Sequence, residues 1–199
     1  MAADMHKVLQ SVGVEKTSVL GVSMGGMIAQ YLAIDFPEFV EKLVLAVTLA
    51  RPNDTVKERC ETWIKSAEEK DYEAIMKDSA LYSYSDEYLR KNKMMLNVIS
   101  KIGAPKSFDR FITFSKACTT HNAYEKLEKI TCPTLVIGGM QDKIVTYEAS
   151  EEIASKIPNA KLKTYEKFGH AAYEEGKDFN KTVYEFCMGN ETLLEKIDK

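Results

Sequence analysis

The sequence predicts an α/β fold, a parallel sheet with flanking helices and an inserted helical block. Three observations carry this. Short apolar, β-branched runs alternate with helical periodicities over residues 1–51, and the same alternation resumes over residues 126–199. Between them, residues 52–125 hold no strand-like run and read as a helical cap. A chain of 199 residues, 45% hydrophobic and 29% charged, is long enough to bury one real core.

In chain order, Met5, Val8, Leu9 and Val12 recur at helical spacing, and Gly13 closes that helix. Residues 17–22 (Thr-Ser-Val-Leu-Gly-Val) read as a buried parallel strand. A helix that tolerates glycines in its first turn follows Ser23 and ends near Phe36-Pro37. Residues 43–47 are a second buried strand, so helix–strand–helix–strand order predicts parallel pairing with right-handed crossovers. Four amphipathic helices are expected in the cap, marked by Val56 and Trp63, by Tyr72 and Ile75, by Leu89 and Leu96, and by Phe108 and Ile112. Beyond it come a strand at 134–139 opened by Pro133, a helix at 147–157, a strand at 161–165 with alternating sides, and a helix at 178–187. The charged tail 190–199 is expected to fray.

The chemistry concentrates at Gly21-Val22-Ser23-Met24-Gly25. A hydroxyl is a poor nucleophile unless a base takes its proton and a third group holds that base. Glycines around Ser23 allow a strand to turn sharply into a helix, projecting the side chain. The helix dipole then assists a backbone N–H facing a developing oxyanion. Gly-x-Ser-x-Gly arises by chance in about 6% of chains this long, so its position between strand and helix is what gives it weight. The alternative is a plain turn or capping serine. Asp142 follows the 134–139 strand and is the expected acid, although a turn or N-cap role also suits it. Asp54, after the second strand, is the rival. Of the three histidines, His170 lies in a loop after a strand, whereas His6 is on a surface helix and His121 near the end of the cap. Ser23, Asp142 and His170 each follow a strand, and their chain order matches the one expected of an elbow serine in a parallel α/β fold.

On these residues the chain resembles the α/β-hydrolase superfamily, and more narrowly its esterase, lactonase and cofactor-free haloperoxidase branch. The matching stretches are residues 19–30, 133–142 and 168–171. The resemblance implies Ser23 as nucleophile, His170 as general base and acid, Asp142 orienting His170, and the Met24 N–H as one oxyanion donor. It also implies four earlier strands and a His-Gly loop supplying a second oxyanion N–H, which this sequence does not contain, making the predicted fold a partial one. A fragment, a partner chain, or a second copy pairing with the elbow strand each accounts for that departure. The last makes a homo-oligomer through the exposed sheet edge the expectation.

The expected function is hydrolysis of a small carboxylic ester, thioester or lactone through an acyl-Ser23 intermediate. The alternatives are a lyase, acyltransferase or perhydrolase using the same groups, and an inactive relative acting as a binding protein. Trp63, Tyr72, Tyr82 and Phe108 either line an acyl pocket or form the cap's own core. A net charge of −3 gives no expectation of nucleic-acid or anionic-lipid binding, and no apolar run approaches a bilayer span. Four scattered cysteines and no signal-peptide pattern point to reduced thiols in the cytoplasm, with no metal or organic cofactor.

Overall fold

A computed structural model describes residues 1–189, so the tail whose fraying the sequence suggests lies outside the described residues. The sheet is parallel throughout, in the order β1 (Thr17–Val22), β2 (Val40–Ala46), β3 (Thr134–Gly139), β4 (Ala160–Tyr165). Helix α1 (Ala2–Ser11) precedes β1, and α2 (Met24–Asp35) joins it to β2. Four helices follow: α3 (Asp54–Glu68), α4 (Tyr72–Ser83), α5 (Asp86–Ile99) and α6 (Asp109–Thr120). A 3-10 turn at Tyr124–Lys129 leads into β3. Helix α7 (Tyr147–Lys156) links β3 to β4, and α8 (Ala172–Glu175) and α9 (Phe179–Cys187) close the fold.

The continuous apolar run of β2 has a direct structural reason. Leu43 and Leu45 pack with Ala29, Leu32 and Ala33 of α2 and Ile153 of α7 on one face. Val44 and Ala46 pack with Phe179 and Phe186 of α9 on the other. A strand covered on both faces has no solvent side, so polar alternation vanishes. The same holds for β3, whose residues are all buried.

Two expectations need correction. β1 is not a buried strand. Among the described residues only β2 pairs with it, and Leu20 is 45% exposed. Its apolar character serves one covered face while its outer backbone edge is free of a strand partner. β4, at the opposite edge, does not alternate cleanly: Ala160 to Thr164 are all half-buried. Lys163 places its Nζ 5.5 Å from the Tyr165 ring centroid, and this charged position is half-buried like its apolar neighbours.

The first helix of the inserted segment is seated above the strand ends. Val56 and Cys60 of α3 join Met27 of α2, Ile144, Val145 and Ala149 in one buried cluster. The Asn53 side chain caps α3 by accepting from the Val56 N–H at 2.9 Å, and its amide donates to the Val145 carbonyl at 2.7 Å. Trp63 donates to Asp78 at 2.7 Å, joining α3 to α4, while Arg59 lies over the Tyr82 ring. These aromatics therefore serve largely to hold the helices together. No helix among the described residues is long and apolar enough to cross a membrane.

Candidate active site

The elbow begins where β1 runs out. The Ser23 N–H donates to the Ala46 carbonyl at 2.9 Å, carrying the β1–β2 pairing one residue further. The chain then reverses at Ser23 itself, with φ 51° and ψ −120°, and α2 starts at Met24. A non-glycine residue at positive φ is strained and persists only where its surroundings enforce it. Here a Cβ at Gly21 would lie 2.6 Å from the Gly25 carbonyl oxygen, and one at Gly26 would lie 2.6 Å from the Thr48 side chain. Gly26, outside the recognised pentapeptide, is thus a crowded position, whereas a Cβ at Gly25 meets nothing within 4 Å. Thr48 fills the space beside Gly26 and donates to the Ser23 carbonyl at 2.6 Å.

Strain recurs around the same strand ends. Val47, just after β2, has φ 45°, which stops that strand one residue sooner than its apolar run suggests. Thr146, before α7, has φ 68°. Both are β-branched, the residue type least suited to this region.

Asp142 lies in the turn after β3. Its Oδ1 accepts from the Ile144 N–H at 2.8 Å and the Val145 N–H at 3.0 Å, and its Oδ2 is 2.8 Å from His170 Nδ1. The carboxylate side chain is 1% exposed. Both oxygens are therefore committed, and a buried acid is satisfied entirely by donors. An ionised carboxylate only accepts, so Nδ1 carries the ring proton and Nε2 is left as an acceptor. That nitrogen is 2.9 Å from Ser23 Oγ.

His170 is held by its own loop. The Gln141 N–H donates to the Phe168 carbonyl at 3.0 Å, and the Ala171 N–H donates to the Ser83 carbonyl at the end of α4 at 2.8 Å. The acid loop and histidine loop touch backbone to backbone: a Cβ at Gly139 would sit 2.3 Å from the Gly169 carbonyl oxygen.

The structure thus brings together Ser23, Asp142 and His170, which are distant in sequence, and leaves Asp54, His6 and His121 outside that cluster. Asp54 is the first residue of α3, points to solvent and pairs with Lys57 at 3.4 Å. His6 stacks on Phe36 with ring centroids 3.9 Å apart. His121 lies 3.3 Å from the Gln30 amide oxygen, and burial pushes its pKa down to about 4. The Met24 N–H, at the start of α2, donates to no acceptor among the described residues. Thr48, Gly26 and the Ser83 carbonyl escaped sequence reasoning, and for Thr48 and Ser83 nothing in the local context marks a role. Only Gly26, adjoining the pentapeptide, offered a signal. No group of three or more His, Cys, Asp or Glu among the described residues is placed to hold a metal ion.

Residues 1–177 match the family model described as serine aminopeptidase, S33. A protein named for carbamate hydrolase activity, RutD of Caulobacter sp. (strain K31), is 28% identical over 192 residues, covering 95% of this chain and 72% of that protein. 3-Oxoadipate enol-lactonase 2 of Acinetobacter baylyi is 23% identical over 186 residues, covering 92% of this chain and 68% of the relative. Among solved structures, the α/β hydrolase MGS-M2 from a Medee basin deep-sea metagenome superposes with a TM-score of 0.85 at 22% identity, over 95% of this chain and 70% of the other. The elbow, the parallel sheet and the matched span agree, and the chain belongs to the α/β-hydrolase superfamily, in its serine aminopeptidase S33 family.

Proposed function

We propose that this hydrolase cleaves a small carboxylic ester, thioester or lactone through an acyl-Ser23 intermediate. The observation that carries the reading is the hydrogen-bonded line from Asp142 Oδ2 to His170 Nδ1 at 2.8 Å and from His170 Nε2 to Ser23 Oγ at 2.9 Å. Its similarity to proteins named as a carbamate hydrolase and an enol-lactonase supports an acyl-type substrate.

The steps follow from the geometry. Ser23 Oγ bonds to the acyl carbon as His170 Nε2 takes its proton. The tetrahedral oxyanion is stabilised by the Met24 N–H and the N-terminal end of α2. Collapse expels the alcohol, thiol or ring oxygen, which receives the proton from His170. Water then attacks the acyl-enzyme with His170 again as base, releasing the acid and restoring Ser23. Asp142 holds the tautomer and stabilises the transient imidazolium. The helical segment 52–125 acts as the cap over this centre, with α3 anchoring the Asp142 turn through Asn53.

A fluorophosphonate probe tests the reading, with mass spectrometry locating the adduct. Labelling at Ser23, together with turnover of p-nitrophenyl esters, is the expected result. A folded protein that takes no label and hydrolyses no such ester of any chain length would sink it.

The outer edge of β1, which pairs with no strand among the described residues, supports self-association by strand pairing, since an unpaired apolar edge is a template for another strand. Sedimentation velocity at micromolar concentration should show a dimer or larger species. A single well-folded monomer refutes this association.

A further inference from the structure

Helices α4 and α5 form a hairpin with an apolar groove of about 1130 Å³ between them, lined in part by Met76, Ala80, Leu81, Leu89, Met94 and Leu96. The α5 helix has no buried residue. Leu89 and Leu96 are half-buried and Ser100, just past the end of the helix, is buried, but the apolar surface continues around the helix into solvent. Met94 and Val98 lie one turn apart on α5 with Met95 and Ile99 beside them, and exposed Ile102 follows in the turn just beyond the helix. Met94 is 81% exposed, Ile102 65% and Leu81 55%. An exposed apolar stripe of this extent marks an interaction surface.

The charges beside that stripe are basic. Residues 86–106 contain Arg90, Lys91, Lys93, Lys101 and Lys106 against Asp86 and Glu87, in a chain whose net charge is −3. Lys77, Arg90, Lys91 and Lys93 also line the groove. Lys91 pairs with Glu87 and Lys77 with Glu73, but Arg90 and Lys93 make no ion pair among the described residues. Whole-chain charge therefore conceals a local positive face, which is why composition alone gave no expectation of an anionic partner.

We propose that the α4–α5 hairpin docks on a membrane surface containing anionic phospholipid. The apolar stripe enters the headgroup–acyl boundary while Arg90, Lys93 and their neighbours meet lipid phosphates, with their aliphatic stems reaching past the apolar rim. Charge selects this occupant over a second copy of the chain. A two-fold contact through the same face would bring like basic residues toward one another. Docking there also places the candidate active site near the bilayer, because the hairpin is fastened to the His170 loop. The Ala171 N–H donates to the Ser83 carbonyl at 2.8 Å, and Tyr84 donates to Glu174 at 2.6 Å. Ser85 donates to Glu175 through both its N–H and its hydroxyl.

Flotation with vesicles of phosphatidylcholine plus phosphatidylglycerol, beside vesicles of phosphatidylcholine alone, tests this without reference to catalysis. The chain should float with the anionic vesicles only, and binding should weaken as salt is raised. The double variants Met94→Glu/Ile102→Glu and Arg90→Glu/Lys93→Glu should each lower the apparent affinity roughly tenfold or more. Their thermal unfolding should match the parent, since all four side chains are solvent-facing. Failure of the parent to bind, equal binding to neutral vesicles, or unchanged binding by both variants overturns the proposal. So does a sedimentation experiment in which Met94→Glu/Ile102→Glu dissociates an oligomer, which would assign the face to a second copy.

Discussion

Ser23→Ala should lower the turnover of an activated ester by on the order of 10⁴–10⁶-fold, and His170→Ala should do nearly the same. The double variant should be little worse than either single one. The reason is that in the proposed mechanism the two groups act in one event: Nε2, 2.9 Å from Ser23 Oγ, takes the hydroxyl proton as the oxygen attacks, so neither group works without the other. Effects of residues that act as a unit do not add. Initial rates for the parent, both single variants and the double variant on one p-nitrophenyl ester give the comparison directly. Additive losses in the double variant would mean that Ser23 and His170 act independently, contrary to the mechanism. Neither change should unfold the chain, because Ser23 is only half-buried and His170 sits in a loop tied down by backbone contacts.

Asp142→Asn should cost about 10⁴-fold in turnover, by a different route. Asp142 accepts three hydrogen bonds, two at Oδ1 and one at Oδ2, and its side chain is fully enclosed. An asparagine keeps only one acceptor oxygen. If that oxygen stays with the Ile144 and Val145 N–H groups, the amide NH₂ faces His170 Nδ1. The imidazole must then place its proton on Nε2, where it opposes the Ser23 hydroxyl instead of accepting from it. If the amide turns over, two backbone N–H groups face a donor and the turn loosens. The first outcome gives a folded, inactive protein, and the second also lowers the thermal midpoint. Activity within a few-fold of the parent would exclude Asp142 as the orienting acid. Because Asp54 faces solvent beside Lys57, it offers no substitute.

Much of this site is legible in one dimension. Ser23 is marked by the glycines around it, of which Gly21 and Gly26 stand where a Cβ would clash. Asp142 and His170 are marked more weakly, each by following a strand in the order the elbow arrangement requires. Their joint meaning was available because parallel α/β topology delivers the C-terminal ends of successive strands to one edge of the sheet, where loops converge. The helical nature of residues 52–125 was equally legible, since long amphipathic periods carry their own signature. The exposed edge of β1 was legible only through the family resemblance, which implies strands beside it that this sequence does not contain, and not through its composition. An edge strand and an interior strand can share one apolar composition, and only the number of neighbours separates them.

What the sequence by itself determined is the alternation of strands and helices, the glycine-flanked strand-to-helix turn at Ser23, and the short set of acids and histidines that could meet it. Local spacing and hydrophobic period are properties of neighbours along the chain, so they survive in the sequence. Tertiary structure alone decided that Asp142 and not Asp54 meets His170, that Gly26 and Thr48 shape the elbow, and that α5 leaves an apolar, basic face uncovered. Each of these depends on groups brought together from distant segments, and burial, crowding and charge complementarity exist only once the chain has folded.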